Sequence, residues 1–336
     1  MWNTTAERME AKNAFDGSLV FGTKTFNKRT GRDRHLDHRQ RAREFFVDIA
    51  SGQLRPGLTQ PRSCPACEGR ENIEIFVKDG FPHVRCQHCE MVYVTPMPSE
   101  EALLKFYEEE SSWTEVLFST EQVDLDKKKF AYGLQLIQHY KGRGDLLDIG
   151  CGPGFFLEAA RDCGWQVAGM EMNERCVVLL QELDIPVHTE PLEESTLPAN
   201  SFECVSMWEV LEHLQEPRVA LERIHQLLRP GGVLLICVPN FGSLINRILH
   251  EEAGTFSGYT HINFFTIDTL TRMQQDCGFE VVEKESVITE LGSINNYLSF
   301  EHPYFGEGET VMPHLTPQYI HENMLGSRLL TVARSQ

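Results

Sequence analysis

The stretch of this chain best suited to chemistry is a glycine-rich turn that follows a short apolar run. Residues 146–149 have the composition of a buried strand, and Gly150, Gly152 and Gly154 come directly after it. Glycines let backbone N–H groups approach a ligand closely. The Gly-x-Gly-x-Gly spacing differs from the Gly-x-Gly-x-x-Gly of dinucleotide sites, and the lysine of a phosphate loop is missing. The turn therefore favours a nucleoside without phosphates.

The surrounding sequence predicts the elements that hold this turn. A second strand over residues 167–170 ends at Glu171, about 20 residues after the glycines, where a carboxylate can accept both ribose hydroxyls. Further strands are predicted over residues 202–207 and 233–238, with a helix containing residues 209–213 between them. Strands that alternate with helices predict an α/β fold with a parallel sheet.

In this combination the chain resembles the class I S-adenosylmethionine-dependent methyltransferases over roughly residues 125–336. The resemblance rests on the glycine turn, on Glu171, on Glu-Val-Leu-Glu-His at 209–213 and on Leu-Arg-Pro-Gly-Gly at 228–232. It implies a Rossmann-like seven-stranded methyltransferase sheet with helices on both faces. The alternatives are a Rossmann-type dehydrogenase and an inert α/β domain.

The resemblance also implies a set of cofactor contacts. The methionine part of S-adenosylmethionine would lie against Asp148 and the glycines of the turn, and Glu171 would bind the ribose. The adenine would be flanked by Met172 and by Leu192 from a later loop. Trp208, at the end of the fourth strand, would pack on the cofactor or substrate, or simply in the core.

Two histidines are candidates for the catalytic base. If a hydroxyl accepts the methyl group, a base must remove its proton, and histidine suits neutral pH. His213 and His261 are the two candidates. His213 also ends a Glu-x-x-Glu-His sequence in which Glu209, Glu212 and His213 would share one helical face and could hold a divalent cation, as in the metal-dependent O-methyltransferases of ubiquinone biosynthesis.

Two Cys-x-x-Cys pairs predict a zinc site. Cys64 and Cys67 are followed, after eighteen intervening residues, by Cys86 and Cys89, which is zinc-ribbon spacing. The sequence between them predicts a β-hairpin turning at Asp79-Gly80. Disulfides and redox dithiols are the alternatives, but the other six cysteines lie in apolar contexts typical of reduced core residues. A four-thiolate site has no open position, so the zinc would be structural.

The net charge of the chain limits the kinds of partner it can bind. The 336 residues carry a formal net charge of −18, which argues against nucleic-acid and other polyanionic partners. One basic arm stands out over residues 24–43, as either a solvated helix face or a clamp for an anionic substrate or partner chain. It holds eight cations: Lys24, Lys28, Arg29, Arg32, Arg34, Arg39, Arg41 and Arg43.

The sequence therefore predicts three parts: a basic N-terminal arm and helix over 1–60, a zinc ribbon and connector helix over 61–110, and a methyltransferase domain over 111–336. Within the last part, residues 288–327 form an insertion between the sixth and seventh strands. Its aromatic and hydrogen-bonding residues suit a sugar or another polar ring, or an oligomer contact. They are Asn295, Asn296, Tyr297, Glu301, His302, Tyr304 and Phe305.

The predicted function is methyl transfer from S-adenosylmethionine to a small polar metabolite, first of all a sugar or nucleotide-linked sugar. A metal-assisted O-methyltransferase of quinone or phenolic substrates is the first alternative, and an RNA methyltransferase and a non-catalytic cofactor-binding scaffold are others. The cysteine usage and the lack of an apolar run long enough to span a bilayer predict a cytoplasmic protein without a membrane partner. The oligomeric state stays open.

Overall fold

A computed structural model describes residues 2–30, 35–109 and 118–336. The described residues of the N-terminal part include the helices α1 (Thr5–Asn13), α2 (Gly17–Val20), α3 (Thr23–Thr30), α4 (His35–Phe46) and α5 (Glu100–Glu109). Its strands are β1 (Val47–Asp48), β2 (Gln53–Leu54), β3 (Thr59–Gln60), β4 (Asn72–Lys78), β5 (Phe81–Cys86), β6 (Val92–Val94) and β7 (Met97–Pro98).

The rest of the chain alternates strands and helices. Its helices are α6 (Thr120–Tyr140), α7 (Phe155–Asp162), α8 (Glu174–Glu182), α9 (Pro217–Leu227), α10 (Leu244–Leu249), α11 (Ile267–Asp276), α12 (Leu291–Leu298) and α13 (Pro317–Glu322). Its strands are β8 (Asp145–Ile149), β9 (Gln166–Met170), β10 (Val187–His188), β11 (Phe202–Trp208), β12 (Leu228–Pro239), β13 (Asn263–Phe264), β14 (Phe279–Val287) and β15 (Arg328–Ser335). Short 3₁₀ turns occur at Leu192–Glu194 and His250–Glu252.

Seven strands form the central sheet, in the order β10-β9-β8-β11-β12-β15-β14. The first five are parallel, and β15 runs antiparallel to both of its neighbours. The predicted α/β fold with a seven-stranded sheet is confirmed. At the centre, Ile149 of β8 lies beside Met170 of β9 and Met207 of β11. The carboxyl ends of these three strands therefore meet at one edge of the sheet.

Alternate residues of the central strands enter two separate cores, because successive side chains of a strand point to opposite faces. Leu234, Ile236 and Val238 of β12 face a core that includes α9, α11 and the ribbon strands β5 and β6. Val233 and Leu235 face a core built with α6, α7 and α8. Both faces of the sheet are thus covered, which explains why the parallel strands are almost wholly apolar.

A second sheet contains the predicted hairpin. Its order is β13-β6-β5-β4, with β4 and β5 joined by the turn at Asp79 and Gly80. The hairpin prediction is confirmed. The outer strand β13 comes from the distant segment that follows His261, and Asn263 and Phe264 pair with Tyr93 and Val92 of β6. The ribbon and the large sheet domain therefore share a sheet, a pairing that the sequence did not predict.

The predicted helix over residues 209–213 is wrong. These residues form a turn after β11, and the next helix begins only at Pro217. Glu209 has a left-handed φ of 57°, which interrupts any helix at this point. Glu209, Glu212 and His213 consequently do not share a helical face.

The first twenty residues, which showed no clear periodicity in the sequence, also contain ordered elements. Lys12 on α1 lies 3.1 Å from the carboxylate of Glu285 on β14, and Asp16 accepts hydrogen bonds from Thr289. The N-terminus therefore docks on the edge strand of the central sheet. Among the described residues, no helix is both long enough and apolar enough to cross a membrane.

Candidate functional site

Glu171, the acid predicted to bind the ribose, lies directly against the glycine turn. The backbone N–H of Gly152 donates to Oε2 of Glu171 at 2.8 Å, and Oε1 accepts from the N–H groups of Met172 and Asn173 at 2.9 and 2.8 Å. A Cβ added at Gly152 would meet no atom within 4 Å. The carboxylate is thus fixed from behind by backbone donors and borders open space, which fits the proposed ribose and methionine parts of a nucleoside ligand.

The other two glycines of the turn are closely packed, so that a larger residue would collide with a neighbouring side chain. A Cβ at Gly150 would lie 2.5 Å from Val210, and one at Gly154 would lie 2.5 Å from Leu180. All three glycines have positive φ values, 67°, 53° and 87° in chain order. The contact between Gly150 and Val210 also places the turn after β11 against the glycine turn after β8. Gly152 alone faces open space.

Asp148 is a buried acid at the end of β8. Its side chain is 2% exposed and accepts a hydrogen bond from the Ser206 hydroxyl at 2.7 Å. Burial raises the pKa of Asp148 to about 8, the hydroxyl opposes the shift, and the negative charge of Glu171 adds to it. A cation that entered the open space beside Gly152 would favour the ionised form.

The three apolar candidates for cofactor contact have different surroundings. Met172 is 65% exposed beside Glu171, so its side chain is available to cover a flat base. Leu192 is buried in the core on one face of the sheet.

Trp208 is packed as a core residue. Its ring lies against Phe130 and Phe156, with centroids 5.1 and 5.4 Å away, and a Cβ at Gly133 of α6 would lie 2.5 Å from it. The core-packing alternative therefore describes this tryptophan, and its contact with the cofactor stays a prediction.

The turn after β11 separates the residues that were predicted to hold a cation. Nε of Arg328 on β15 donates to both carboxylate oxygens of Glu209 at 2.7 Å, so an ion pair occupies Glu209. Glu212 instead points into the protein, fully buried, and neither of its carboxylate oxygens has a hydrogen-bond partner among the described residues. Burial, together with the nearby Glu209, raises the pKa of Glu212 well above its ordinary value. The predicted set of Glu209, Glu212 and His213 is therefore wrong as a ligand set.

The two candidate histidines lie side by side next to Glu212. Their ring centroids are 4.8 Å apart, and Nε2 of His213 lies 3.9 Å from Oε1 of Glu212. Nδ1 of His213 is 2.9 Å from the Thr260 carbonyl, and Nδ1 of His261 is 2.9 Å from that of Thr255. Because carbonyls only accept, these contacts assign the proton to Nδ1 and a lone pair to Nε2 in both rings. The three ligand atoms lie within 4.8 Å of one another.

Comparison with known proteins bears on the same part of the chain. A protein family described as "Methyltransferase domain" matches residues 124–284. These residues include the glycine turn, Glu171, both histidines and five of the seven strands of the central sheet in full. Residues 124–284, just under half of the chain, therefore match a methyltransferase domain.

Curated relatives of the methyltransferase domain are similar over part of their length. A ubiquinone biosynthesis O-methyltransferase of Coxiella burnetii is 30% identical over 123 residues, which is 35% of this chain and 50% of the relative. A protein of Mycolicibacterium smegmatis named "Probable S-adenosylmethionine-dependent methyltransferase" is 28% identical over 161 residues, 47% of this chain and 60% of the relative. The chain thus spans about half the length of the first of these relatives.

A solved structure aligns with more of the chain at lower identity. It is the 1,6-didemethyltoxoflavin-N1-methyltransferase of Burkholderia thailandensis, with 18% identity, a TM-score of 0.48, and coverage of 79% of this chain and 99% of that chain.

The four ribbon cysteines outside the methyltransferase domain match a tetrahedral metal site in their donor atoms. Their sulfur atoms all lie within 4.8 Å of one another, with Cys64 and Cys89 at 3.4 Å and Cys67 and Cys86 at 3.6 Å. Zinc–thiolate bonds of about 2.3 Å in a tetrahedron separate the sulfurs by about 3.8 Å. These four side chains therefore fit Zn²⁺, and all ten cysteines of the chain are free thiols rather than disulfides.

The basic arm contacts acidic residues of this chain. Arg39 donates two hydrogen bonds to Asp79 at the tip of the ribbon hairpin, at 2.6 and 3.0 Å. Lys24 lies 3.2 Å from Glu307, and Arg29 lies 3.7 Å from Glu121. Part of the arm's charge thus serves to dock the arm. Arg32 and Arg34 lie outside the described residues.

The insertion uses several of its polar residues on its own backbone. Asn295 accepts a hydrogen bond from the N–H of Val311, and Asn296 contacts the backbone of Pro303 and Gly308. The Tyr304 hydroxyl accepts from the N–H of Gly254 at 2.6 Å. The Tyr304 contact joins the insertion to the segment that carries His261, and the others use Oδ1 of Asn295 and both polar groups of Asn296 on the backbone of the insertion itself.

Sequence reasoning missed Arg62 and Asn263. Burial lowers the pKa of the Arg62 guanidinium to about 10, so it keeps its charge at neutral pH. Asn263 is buried between β6 and the turn after β11. The only signal in the sequence is the position of Arg62 two residues before the first ribbon cysteine, which by itself indicates nothing.

Proposed function

We propose that this protein is an enzyme that transfers a methyl group from S-adenosylmethionine to a hydroxyl group of a small polar metabolite, with sugars and nucleotide-linked sugars as the first class to test. The observation that carries the proposal is the contact between Gly150 and Val210. It brings the donor corner of Gly152 and Glu171 against the turn that presents Glu212 and His213. Donor and acceptor groups would thus meet at the carboxyl edge of the sheet, where ligands of α/β sheets bind.

The residues divide the work of such a transfer. S-adenosylmethionine supplies an activated methyl group on a sulfonium. Glu171 binds the ribose hydroxyls, and the open space at Gly152 receives the methionine part next to Asp148. His213 accepts the proton of the acceptor hydroxyl at Nε2, since its Nδ1 already carries a proton toward Thr260. Although part of the ring is exposed, desolvation by the surrounding protein lowers the pKa of His213, and this keeps the lone pair available at neutral pH.

The identification of His213 and His261 as catalytic residues is part of this proposal. His213 is the better base of the two because its side chain is 40% exposed and can meet an acceptor. His261 packs edge-on against the His213 ring and orients it.

The proposed structural zinc belongs to the ribbon. Cys64, Cys67, Cys86 and Cys89 would hold it, and its filled shell leaves no position for substrate. The zinc would therefore stabilise the ribbon fold and leave the methyl transfer to the methyltransferase domain.

The test is a screen with methyl-labelled S-adenosylmethionine. Panels of sugars and nucleotide-linked sugars are compared with phenols, and transcribed RNA is included as a third acceptor class. Label transfer to a sugar hydroxyl supports the proposal. Transfer only to phenols or only to RNA overturns it and identifies that class as the acceptor. Tight binding of S-adenosylhomocysteine without turnover on any panel or on a metabolite extract would favour the cofactor-binding scaffold.

A metal-assisted O-methyltransferase is the second candidate function, and one observation favours it. Glu212, His213 and His261 place a buried carboxylate oxygen and one nitrogen of each imidazole within 4.8 Å of one another. Two histidines and one carboxylate are a ligand set used by divalent transition metals. Glu212 and both histidines would hold the cation here, while Glu209 stays paired with Arg328.

The two candidates differ in a binding measurement. The zinc-loaded protein is titrated with Mn²⁺ by calorimetry, beside the Glu212→Gln variant and the control Glu222→Gln, whose carboxylate lies on the exposed face of α9. Mn²⁺ binding that disappears only in Glu212→Gln, together with cation-dependent methyl transfer, supports the second candidate. Identical titrations of all three proteins speak against it.

A further inference from the structure

Arg62 joins three segments that are distant in the chain. Its guanidinium donates to the carbonyl of Val94 on ribbon strand β6, to the carbonyl of Gln215 in the turn after β11, and to the carbonyl of Ile262 next to β13. A further hydrogen bond reaches Oδ1 of Asn263 at 2.9 Å. The side chain therefore connects the ribbon with both segments that carry the candidate histidines.

Asn263, which accepts a hydrogen bond from Arg62, also binds the turn after β11. Its side-chain amide donates to the carbonyls of Leu211 and Leu214, which stand on either side of Glu212 and His213. The backbone completes the link, since the carbonyl of Glu212 accepts from the N–H groups of Ile262 and Asn263 at 3.0 and 3.1 Å. The turn is thus held from both of its ends by residues that pair with the ribbon.

The ribbon sheet fixes where these residues lie. Asn263 pairs with Tyr93 across β13 and β6, and the N–H of Val94 donates to the carbonyl of Ile262 at 3.0 Å. The segment just before β13 is also buried against the ribbon, because Phe256, Tyr259 and Ile262 share one core with its strands. His261 lies between these anchors.

We propose that Arg62 is a positioning residue for the acceptor side: through Arg62 and Asn263, the zinc ribbon holds the Glu212–His213 turn and His261 in the geometry needed for proton removal. This inference rests on the proposed methyl transfer for its functional meaning, but its structural part does not. The hydrogen bonds of Arg62 include no residue of the donor corner.

The chemistry of the contacts explains why arginine is needed. All four hydrogen-bond acceptors of the guanidinium are neutral amide or carbonyl oxygens, and they lie in different directions around one plane. The planar guanidinium carries five N–H donors in a fixed fork, whereas a lysine has three donors on one flexible point charge. Lysine can keep the charge and part of the contacts but cannot join all three segments.

The test compares Arg62→Met and Arg62→Lys with Arg55→Met as the matched control. Arg55 also donates to two backbone carbonyls, those of Val47 and Glu44, but it lies outside the site. Each variant is checked for zinc content and melting temperature. Hydrogen–deuterium exchange is then measured on peptides covering 209–216 and 260–265, with 145–154 as internal reference.

The expected result is local. Arg62→Met increases the exchange rate of 209–216 and 260–265 by at least about tenfold, as expected for the loss of hydrogen bonds to a charged group. Arg62→Lys gives an intermediate increase, and Arg55→Met gives none. The affinity for S-adenosylhomocysteine stays within about threefold of the wild type in all three variants. Where Arg62→Met does not purify as a folded protein, Arg62→Lys carries the same comparison.

Unchanged exchange of both peptides in the Arg62 variants overturns the proposal, as does faster exchange of 145–154 to the same degree. A parallel loss of S-adenosylhomocysteine affinity also overturns it, because the effect would then reach the donor corner.

With an acceptor found by the labelled-donor screen, the kinetic readout separates positioning from stability. Arg62→Met should lower kcat by at least about tenfold with little change in KM for S-adenosylmethionine, and Arg62→Lys should restore part of the loss. Equal kcat values for Arg62→Met and wild type overturn the functional part. Since exchange and S-adenosylhomocysteine binding need no turnover, failure of the proposed methyl transfer would show separately, as absence of label transfer in the wild type.

Discussion

Gly152 and Glu171 are joined by a hydrogen bond from the backbone N–H of the glycine to Oε2 of the acid, at 2.8 Å. They lie on different elements, one in the turn after β8 and the other at the end of β9. The bond therefore fixes the carboxylate over the open side of the glycine turn. Binding of a nucleoside donor should depend on both residues, for different reasons.

Gly152→Val should abolish binding of S-adenosylhomocysteine. The new side chain would fill space that no protein atom occupies within 4 Å, and the residue has a φ of 53°. Isothermal titration calorimetry measures the effect. The matched control is Gly57→Val, which has a φ of 83° and equally open surroundings but lies away from the site. If both valine variants bind as the wild type does, the donor site has been placed wrongly.

Glu171→Ala should weaken S-adenosylhomocysteine binding by about 1–3 kcal/mol, because the ribose hydroxyls would lose a charged acceptor. The neighbouring exposed acid Glu174 on α8 provides the control, and Glu174→Ala should bind normally. Calorimetry at one ionic strength compares the affinity of the wild type, Glu171→Ala and Glu174→Ala for S-adenosylhomocysteine. Equal losses in both variants would point to general electrostatics instead of a ribose contact.

The affinity for S-adenosylmethionine should rise with pH up to about pH 8 and then level off. The pKa of Asp148 is about 8 without ligand, so at lower pH a cationic donor must displace a proton from this carboxyl, and binding releases that proton. Above the pKa no proton remains to be released. Affinities of wild type and Asp148→Asn are compared at each pH, since their ratio cancels the titration of the ligand itself. A pH-independent ratio contradicts the assignment.

Cys86→Ser should lose the zinc of the purified protein and lower its melting temperature while S-adenosylhomocysteine still binds. A tetrahedral four-cysteine site needs every thiolate, and metal binding contributes directly to folding of such segments. Metal analysis, thermal denaturation and calorimetry measure the three effects. Cys163→Ser, at a half-buried thiol outside the ribbon, is the control and should keep its zinc. Full zinc content in Cys86→Ser would contradict a four-thiolate site.

Much of the fold was predictable because it depends on local sequence patterns, namely apolar periodicity and turn residues. The alternation of apolar strands with helices predicted an α/β fold with a parallel sheet, and the family resemblance implied its seven strands. The insertion predicted to begin at residue 288 starts directly after β14 (Phe279–Val287). The hairpin between the cysteine pairs was predictable from Asp79-Gly80. The helix over 209–213 was predicted wrongly because its periodicity is helical, whereas the left-handed backbone at Glu209 and its pairing with Arg328 are set by the strands that meet there.

The sequence alone predicted the proposed donor half, from a glycine turn after a buried strand and an acid about 20 residues later. It also predicted the proposed zinc site, from four cysteines with zinc-ribbon spacing. Each of these features is a pattern of residues at a set spacing along the chain, which can be recognised without knowledge of the fold. Only the tertiary structure decided the acceptor half. Glu212, His213 and His261 meet there, and Arg62 joins them to the ribbon, because β13 crosses to pair with β6. Contacts between segments so far apart leave no periodic signal in a sequence.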